Sequence, residues 1–249
     1  MIKVLEKTFA ILERIVIASP RPVRISELAE KFGINPATCA RILKELQEAG
    51  YVVRISRQEG YTAGPRALTF AEQVSYREEI LRAAEMPVEK TARELGLSVL
   101  FCERAGLERY VLLHRCHCRK LKIVLQNLSF HDLFSTATGL VLSAFAPSSA
   151  QRDLLREYRG SPFLPAGQEM RDFLSGIREA GSFSASYPHA GQGIMAFPVF
   201  RDGKFAGALG ASVEIEIYRN PDFQKKMAQL LAETARDLTQ AITRSNITG

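Results

Sequence analysis

Long apolar stretches are missing from this sequence of 249 residues. Every apolar run is far shorter than the roughly 20 residues that a membrane-spanning helix needs. A secretory signal peptide is not expected either, because Glu6 and Glu13 lie where such a peptide has an uncharged apolar core. We therefore expect a cytoplasmic protein.

Cysteine is scarce, and the chain contains only Cys39, Cys102, Cys116 and Cys118. A chain of this length can bury a stable core without disulfides, so we expect reduced thiols. The run from His114 to Cys118 contains metal-ligating side chains, but a zinc site usually needs a second, distant pair of ligands. The sequence offers no such pair, and we expect neither a metal nor a cofactor.

Motifs of several enzyme classes are also missing. The sequence has neither a Walker A phosphate-binding loop nor a Gly-x-Ser-x-Gly nucleophile elbow. Gly191–Ala196 matches the dinucleotide fingerprint, but strand-like residues follow it where that motif must open a helix. Ser129, His131 and Asp132 are too close along the chain to form a credible catalytic triad. We therefore do not expect an enzyme.

The charge of the chain is moderately positive, with a formal net charge of +6 at pH 7. A positive net charge permits an anionic partner such as nucleic acid, but it does not establish one. Acidic and basic residues nearly balance over residues 1–80, so the placement of the cations matters more than their number.

The first 33 residues have the pattern of two helices. Apolar residues recur at helical spacing and form one stripe on a helix over Val4–Ile17: Leu5, Phe9, Leu12 and Val16. A short second helix is predicted over Ser26–Phe32. Gly33 should end it, because glycine readily adopts the left-handed conformation found after helix ends.

A third helix is predicted directly after this turn. Asn35 is a strong N-cap, Pro36 suits the first helical position, and the helix should run to Ala49. Four residues form its inward face: Cys39, Ile42, Leu43 and Leu46. In a helix-turn-helix, the N-terminal residues of this helix meet base edges, so Arg41 could donate two hydrogen bonds to a guanine. Lys44 would reach a phosphate.

A hairpin follows the third helix, with strands over Tyr51–Ile55 and Tyr61–Ala63. Arg66 and two hairpin arginines would lie beside the third helix and contact the DNA backbone. Residues 1–66 are thus predicted to form a winged helix-turn-helix, mostly α with a β-hairpin wing. The candidate DNA contacts are Asn35, Pro36, Ala37, Thr38, Ala40, Arg41, Lys44, Arg54 and Arg57. The same elements could instead form a dimerisation or peptide-binding module.

The remainder of the chain is predicted as a linker helix over residues 67–77 and an α+β domain over residues 78–249. The domain should begin with a helix over Glu78–Leu95 and end with one over Pro221–Arg244. One of its strands is predicted over Leu121–Leu125. An antiparallel sheet flanked by helices is typical of a GAF-like small-molecule sensor.

Several segments of the sequence resemble the IclR family of bacterial regulators. The segments in the first domain are Leu5–Leu12, Ile25–Ala29, Gly33–Leu43 and Gly50–Val52. Those in the second are Leu133–Phe145 and Gly193–Phe200, the latter followed by Asp202 and Gly203. The resemblance implies a repressor or activator that binds a palindromic operator as a homodimer, often as a dimer of dimers in a homotetramer.

The resemblance also implies that the second domain is an effector-binding and oligomerisation domain. The resemblance further implies a small organic or aromatic acid as the effector, and backbone amides at a helix N-terminus hold a carboxylate well. Carried over residue by residue, the effector contacts are Thr136, Ala137, Thr138, Gly139, Gln192, Ile194, Ala208 and Gly210. An apolar wall could come from Phe101, Phe134, Tyr187 and Met195, although these are also typical residues of a sheet core.

Two other hypotheses stay open. A hydrolase using Cys102 or His189 would turn over a substrate without DNA, and would need a neighbour that stabilises a thiolate. A DNA-binding protein without an effector would show no change of operator affinity with any metabolite.

Overall fold

The computed structural model describes residues 3–56, 58–67, 78–120 and 129–244, without the side chains of residues 79, 188 and 244. Contacts divide the chain into two compact units, Met1–Tyr76 and Arg77–Gly249. Arg57, the strand predicted over Leu121–Leu125 and the linker helix beyond Ala67 lie outside the described residues. No helix in the described ranges is long and apolar enough to cross a membrane.

The first unit contains three helices and a hairpin, as the sequence predicts. The helices are α1 Lys3–Ala18, α2 Ile25–Lys31 and α3 Pro36–Glu48. The hairpin consists of β1 Val52–Ser56 and β2 Gly60–Ala63, which pair antiparallel. Tyr61 of β2 also exchanges two backbone hydrogen bonds with Val23, at 2.8 and 2.9 Å, which ties the wing to the segment before α2.

The apolar stripe predicted on α1 is not its buried face. Ile11 and Ile15 are fully buried, whereas Leu5 and Phe9 are 48% and 60% exposed. Helix α1 has two adjacent apolar faces, and periodicity alone does not show which of them packs inward. The exposed apolar face of α1 comprises Val4, Leu5, Phe9, Val16 and Ile17.

The second unit is built on one antiparallel sheet with the strand order β5-β4-β3-β8-β7-β6. The strands are β3 Ser98–Ala105, β4 Glu108–Cys116, β5 Ser129–Phe130, β6 Phe183–Tyr187, β7 Gln192–Arg201 and β8 Lys204–Glu214. The sequence analysis missed β5 and β6, the two edge strands. Strand β5 has only two residues, and β6 has five.

Helices cover both faces of this sheet, which confirms the predicted α+β architecture. They are α4 Glu78–Leu95, α5 Ala137–Ala144, α6 Ser148–Glu157, α7 Met170–Ala180, α8 Ile215–Tyr218 and α9 Pro221–Arg244. Helices α4 and α9 pack together on one face, where the buried hydroxyls of Thr91 and Thr234 share a 2.8 Å hydrogen bond. Helices α5, α6 and α7 contribute to the core on the other face.

Each face of the sheet has its own hydrophobic core, because side chains alternate along a strand. Phe101 of β3 belongs to the core with α4 and α9, where Val88 and Leu231 are also buried. The next residue, Cys102, belongs to the core with α5 and α7, together with Leu140. The sheet thus separates a face covered by two long helices from a face that holds the short helix α5.

Candidate functional site

Helix α3 begins as its sequence predicts. The Asn35 Oδ1 atom accepts a 2.8 Å hydrogen bond from the Ala37 amide, and Pro36 occupies the first turn. Gly33 has a φ of +57°, so α2 ends in the left-handed conformation that a glycine adopts without strain. The residues predicted to face inward are all buried: Cys39, Ile42, Leu43 and Leu46.

The outer face of α3 is open to solvent. The exposed candidates are Asn35, Pro36, Ala37, Arg41, Lys44 and Arg54, and Thr38 and Ala40 are half-buried. The Lys44 ammonium lies 3.5 Å from the Glu48 carboxylate, but the two side chains are 73% and 60% exposed. Such a pair contributes little free energy, so Lys44 can exchange it for a phosphate.

The wing arginines differ in their surroundings. The Arg54 guanidinium is exposed and lies 5.8 Å from the centre of the Tyr61 ring. Arg66 instead donates a 3.2 Å hydrogen bond to the Ala49 carbonyl and stacks 5.2 Å from the Tyr51 ring. Arg66 therefore caps the C-terminal end of α3 instead of extending outward.

A cavity of about 220 Å³ lies between the sheet and the N-terminal end of α5. Six of the predicted effector contacts line it: Thr136, Ala137, Thr138, Gln192, Ile194 and Gly210. Gly139 and Ala208 are not among its lining residues. The Gly139 amide donates a 3.1 Å hydrogen bond to Thr136 Oγ1, and Ala208 is fully buried in the core.

Helix α5 approaches the cavity end-on. All eight of its residues are buried, and Thr136 is its N-cap. A Cβ atom on Gly210 would collide with the Cγ2 methyl of Thr138, so glycine at this position of β8 leaves room for the Thr138 side chain at the helix start. The part of α5 that the cavity meets is therefore its first turn.

Arg109 also lines the cavity and carries a buried charge, although it was not among the predicted effector contacts. Its side chain is only 6% exposed. The Nε and Nη2 atoms donate hydrogen bonds of 2.8 and 2.5 Å to the two carboxylate oxygens of Asp132, a bidentate pair. The Nη1 atom donates to Cys102 Sγ at 3.3 Å, and the guanidinium stacks 5.0 Å from the Phe130 ring.

The electrostatics of this cluster fix its protonation states. Burial works to lower the pKa of Arg109, but its interactions with Asp132 and Cys102, above all the Asp132 hydrogen bonds, outweigh burial and hold that pKa above its ordinary value. Burial raises the pKa of the Cys102 thiol, although the nearby Arg109 works to lower it. Arg109 is therefore charged and Cys102 is a neutral thiol near pH 7.

The residues proposed as an apolar cavity wall separate into two groups. Tyr187 and Met195 line the cavity. Phe101 packs in the core on the opposite face of the sheet. Phe134 makes an edge-to-face contact with Tyr158, with ring centres 5.0 Å apart, and does not line the cavity.

Comparison with known proteins identifies the first unit. Residues 4–56 match the model of the IclR helix-turn-helix domain. The first unit therefore contains an IclR helix-turn-helix domain. The match covers α1, α2, α3 and β1, the elements that position Asn35 and Arg41. A search of curated protein sequences found no match.

Solved structures of IclR proteins share the fold of the whole chain. An IclR regulator from Alicyclobacillus acidocaldarius is 18% identical, with a TM-score of 0.76 over 97% of this chain and 99% of that one. The IclR of Thermotoga maritima is 22% identical, with a TM-score of 0.69 over 98% and 100%. An IclR homologue from Microbacterium hydrocarbonoxydans, solved with 4-hydroxybenzoate, is 17% identical, with a TM-score of 0.76 over 96% and 98%.

Other residues considered for catalysis have different partners in this structure. Asp132 is held by Arg109, and His131 Nε2 lies 2.9 Å from Glu108 Oε1, so neither residue is arranged as part of a triad with Ser129. The dinucleotide-like motif runs into β7 at Gln192 and opens no helix. Among the described residues, no group of three or more His, Cys, Asp or Glu side chains could hold a metal ion.

Proposed function

We propose that this chain is an IclR-type regulator that binds its operator as a homodimer in the cytoplasm, and that a small organic acid in the C-terminal cavity controls that binding. The observation that carries the proposal is the cavity itself. It joins the first turn of a capped, buried helix to an arginine and to residues of four neighbouring strands. A helix N-terminus and an arginine both favour an anion.

The proposed DNA contacts follow from exposure and position. Arg41 lies on the exposed face of α3 and would read a base edge. Lys44 and Arg54 would contact phosphates, and Arg57 would extend the same surface along the wing. Asn35 to Thr38 would place the start of α3 against the DNA, while the acidic Glu45 and Glu48 lie toward its other end.

The size of the cavity favours a small ligand. Its volume of about 220 Å³ is below the roughly 300–1,000 Å³ of pockets that hold drug-sized molecules. Leu100 and Ile194 supply apolar surface, and Tyr187 supplies an aromatic ring. Because a protein of this fold was solved with 4-hydroxybenzoate, aromatic acids are the first class to test.

The homodimer is supported by the exposed apolar face of α1. Leu5, Phe9 and Val16 lie one above another on a helix of the DNA-binding unit and remain largely solvent-exposed. A two-fold related copy would cover this face, and a dimer matches the symmetry of a palindromic operator. We expect Phe9→Glu to shift the mass measured by analytical ultracentrifugation toward the monomer, and Leu107→Glu to leave it unchanged.

Operator binding tests the proposal as a whole. Fluorescence anisotropy would measure binding to DNA from upstream of the protein's own gene at fixed salt, with and without a panel of organic and aromatic acids. The proposal requires at least one acid to change the dissociation constant for this DNA but not for a random duplex. Specific binding that no acid alters would contradict the effector part and favour a DNA-binding protein without a ligand.

A further inference from the structure

Among the described residues that line the cavity, Arg109 is the only one with a charged side chain. Its pairing leaves part of the guanidinium unused. A guanidinium has five N–H donors, and Asp132 and Cys102 accept from three of them. Asp132 occupies the edge formed by Nε and Nη2, so one N–H of Nη1 and one of Nη2 have no partner among the described residues, and the terminal edge lies between these two atoms.

This terminal edge suits a second carboxylate. A carboxylate binds a guanidinium edge through two parallel hydrogen bonds, which gives both strength and a fixed orientation. Asp132 balances the charge of Arg109 when the cavity is empty, so a buried arginine is tolerated there without an unpaired charge. The thiol of Cys102 is a weak acceptor and can be exchanged for a better one.

The strand order gives the cavity two different ends. Arg109 lies on β4 and Tyr187 on β6, which are four strand positions apart in the order β4-β3-β8-β7-β6. Adjacent strands are about 4.8 Å apart, so the backbones at the two ends are roughly 19 Å apart. The first turn of α5 lies between these ends, where Thr138 meets Gly210 of β8.

Building on the proposed function, we infer that Arg109 anchors the carboxylate of the effector and that Tyr187 contacts the opposite end of the same molecule. Asp132 is a positioning residue, because its bidentate pair turns the terminal edge of Arg109 toward the cavity. The acid group therefore determines binding at one end, and the size and aromaticity of the ligand tail determine selectivity at the other.

Matched acid and amide probes test this inference, because an amide keeps the shape of the acid and lacks its charge. Isothermal titration calorimetry on the full chain would use benzoate and benzamide, phenylacetate and phenylacetamide, and isobutyrate and isobutyramide. We expect the native protein to bind at least one acid tenfold or more tightly than its amide. The double variant Arg109→Met/Asp132→Asn removes both charges together and so avoids an unpaired buried carboxylate.

The double variant should reduce the preference for the acid to less than about threefold, while Tyr187→Ala should weaken acid and amide alike and preserve their ratio. A tenfold preference that survives in the folded double variant, checked by circular dichroism, would overturn the role of Arg109. Equal binding of acid and amide by the native protein would also overturn it, and would leave the proposed effector control standing. If the native protein bound no acid, both the inference and the proposed function would fail.

Discussion

Helices α3 and α5 are both capped at their N-termini, but a ligand would meet a different part of each helix. Helix α3 buries one face and exposes the other along its whole length. All residues of α5 are buried, and its first turn meets the cavity. A helix face can follow an extended polymer such as DNA, whereas a helix end can hold only a small group.

The cations of the two sites differ in the same way. Arg41 is exposed on α3, where substituting it leaves nothing buried without a partner. Arg109 is buried and paired with Asp132, so it is part of the fold as well as of the cavity. Changing an exposed charge should therefore affect binding alone, whereas changing a buried charge should also lower the stability of the fold. The following predictions test that difference.

The largest effect is expected for Arg109→Met. This change leaves the Asp132 carboxylate without its bidentate partner, and breaking a buried pair on one side costs about 3 kcal/mol of unfolding free energy. Urea unfolding followed by circular dichroism would measure the cost. Arg109→Met/Asp132→Asn should recover part of it, and a single variant as stable as the native chain would show that the pair does not support the fold.

A smaller effect, on DNA binding alone, is expected for Arg41→Ala. Operator binding should weaken by roughly 1 to 3 kcal/mol with relaxed base preference, because a bidentate contact to a base is lost. The unfolding free energy should change by less than about 0.5 kcal/mol, since the side chain is exposed. Anisotropy on operator and random duplexes measures both specific and non-specific binding, with the exposed Arg156→Ala of α6 as control. Equal weakening on both duplexes would make Arg41 a phosphate contact.

The smallest effect is expected at the cap of α3. Asn35→Ala removes the acceptor of the Ala37 amide and should lower the unfolding free energy of the first unit by about 1 kcal/mol. Ser26→Ala, at an exposed helical position in the same unit, provides the control and should change it by less than about 0.5 kcal/mol. Identical melting temperatures for the two variants would argue against a stabilising cap.

Much of the fold could be predicted from local signals. The caps and turn residues at Gly33, Asn35 and Pro36 predict the start of α3, and helical periodicity predicts α4 with its observed ends. The apolar stripe of α1 correctly predicts a helix, but most of this stripe is exposed. Edge strand β5 was missed because it has only two residues, whereas β6 alternates apolar and polar residues over Phe183–Tyr187, a signal of a half-buried strand that was overlooked.

The cavity was harder to predict because its residues meet across long distances in sequence. Arg109 on β4 contacts Asp132 before α5, and only the folded sheet brings them together. One signal was present: Arg109 and Val111 are both buried at alternate positions of β4, so a lone arginine occupies an inward position. The effector contacts carried over from the family stay predictions, although six of them line one cavity.

The proposal that a small acid in the cavity changes operator affinity is tested most directly by a substitution inside that cavity. Operator binding by the native protein and by Gly210→Ala would be measured with and without the most effective acid. The added methyl group collides with Thr138 at the cavity, so the variant should bind the operator as the native protein does without acid but lose the response to it. A full acid response in the Gly210→Ala variant would contradict the account, because the acid would then act from a different site.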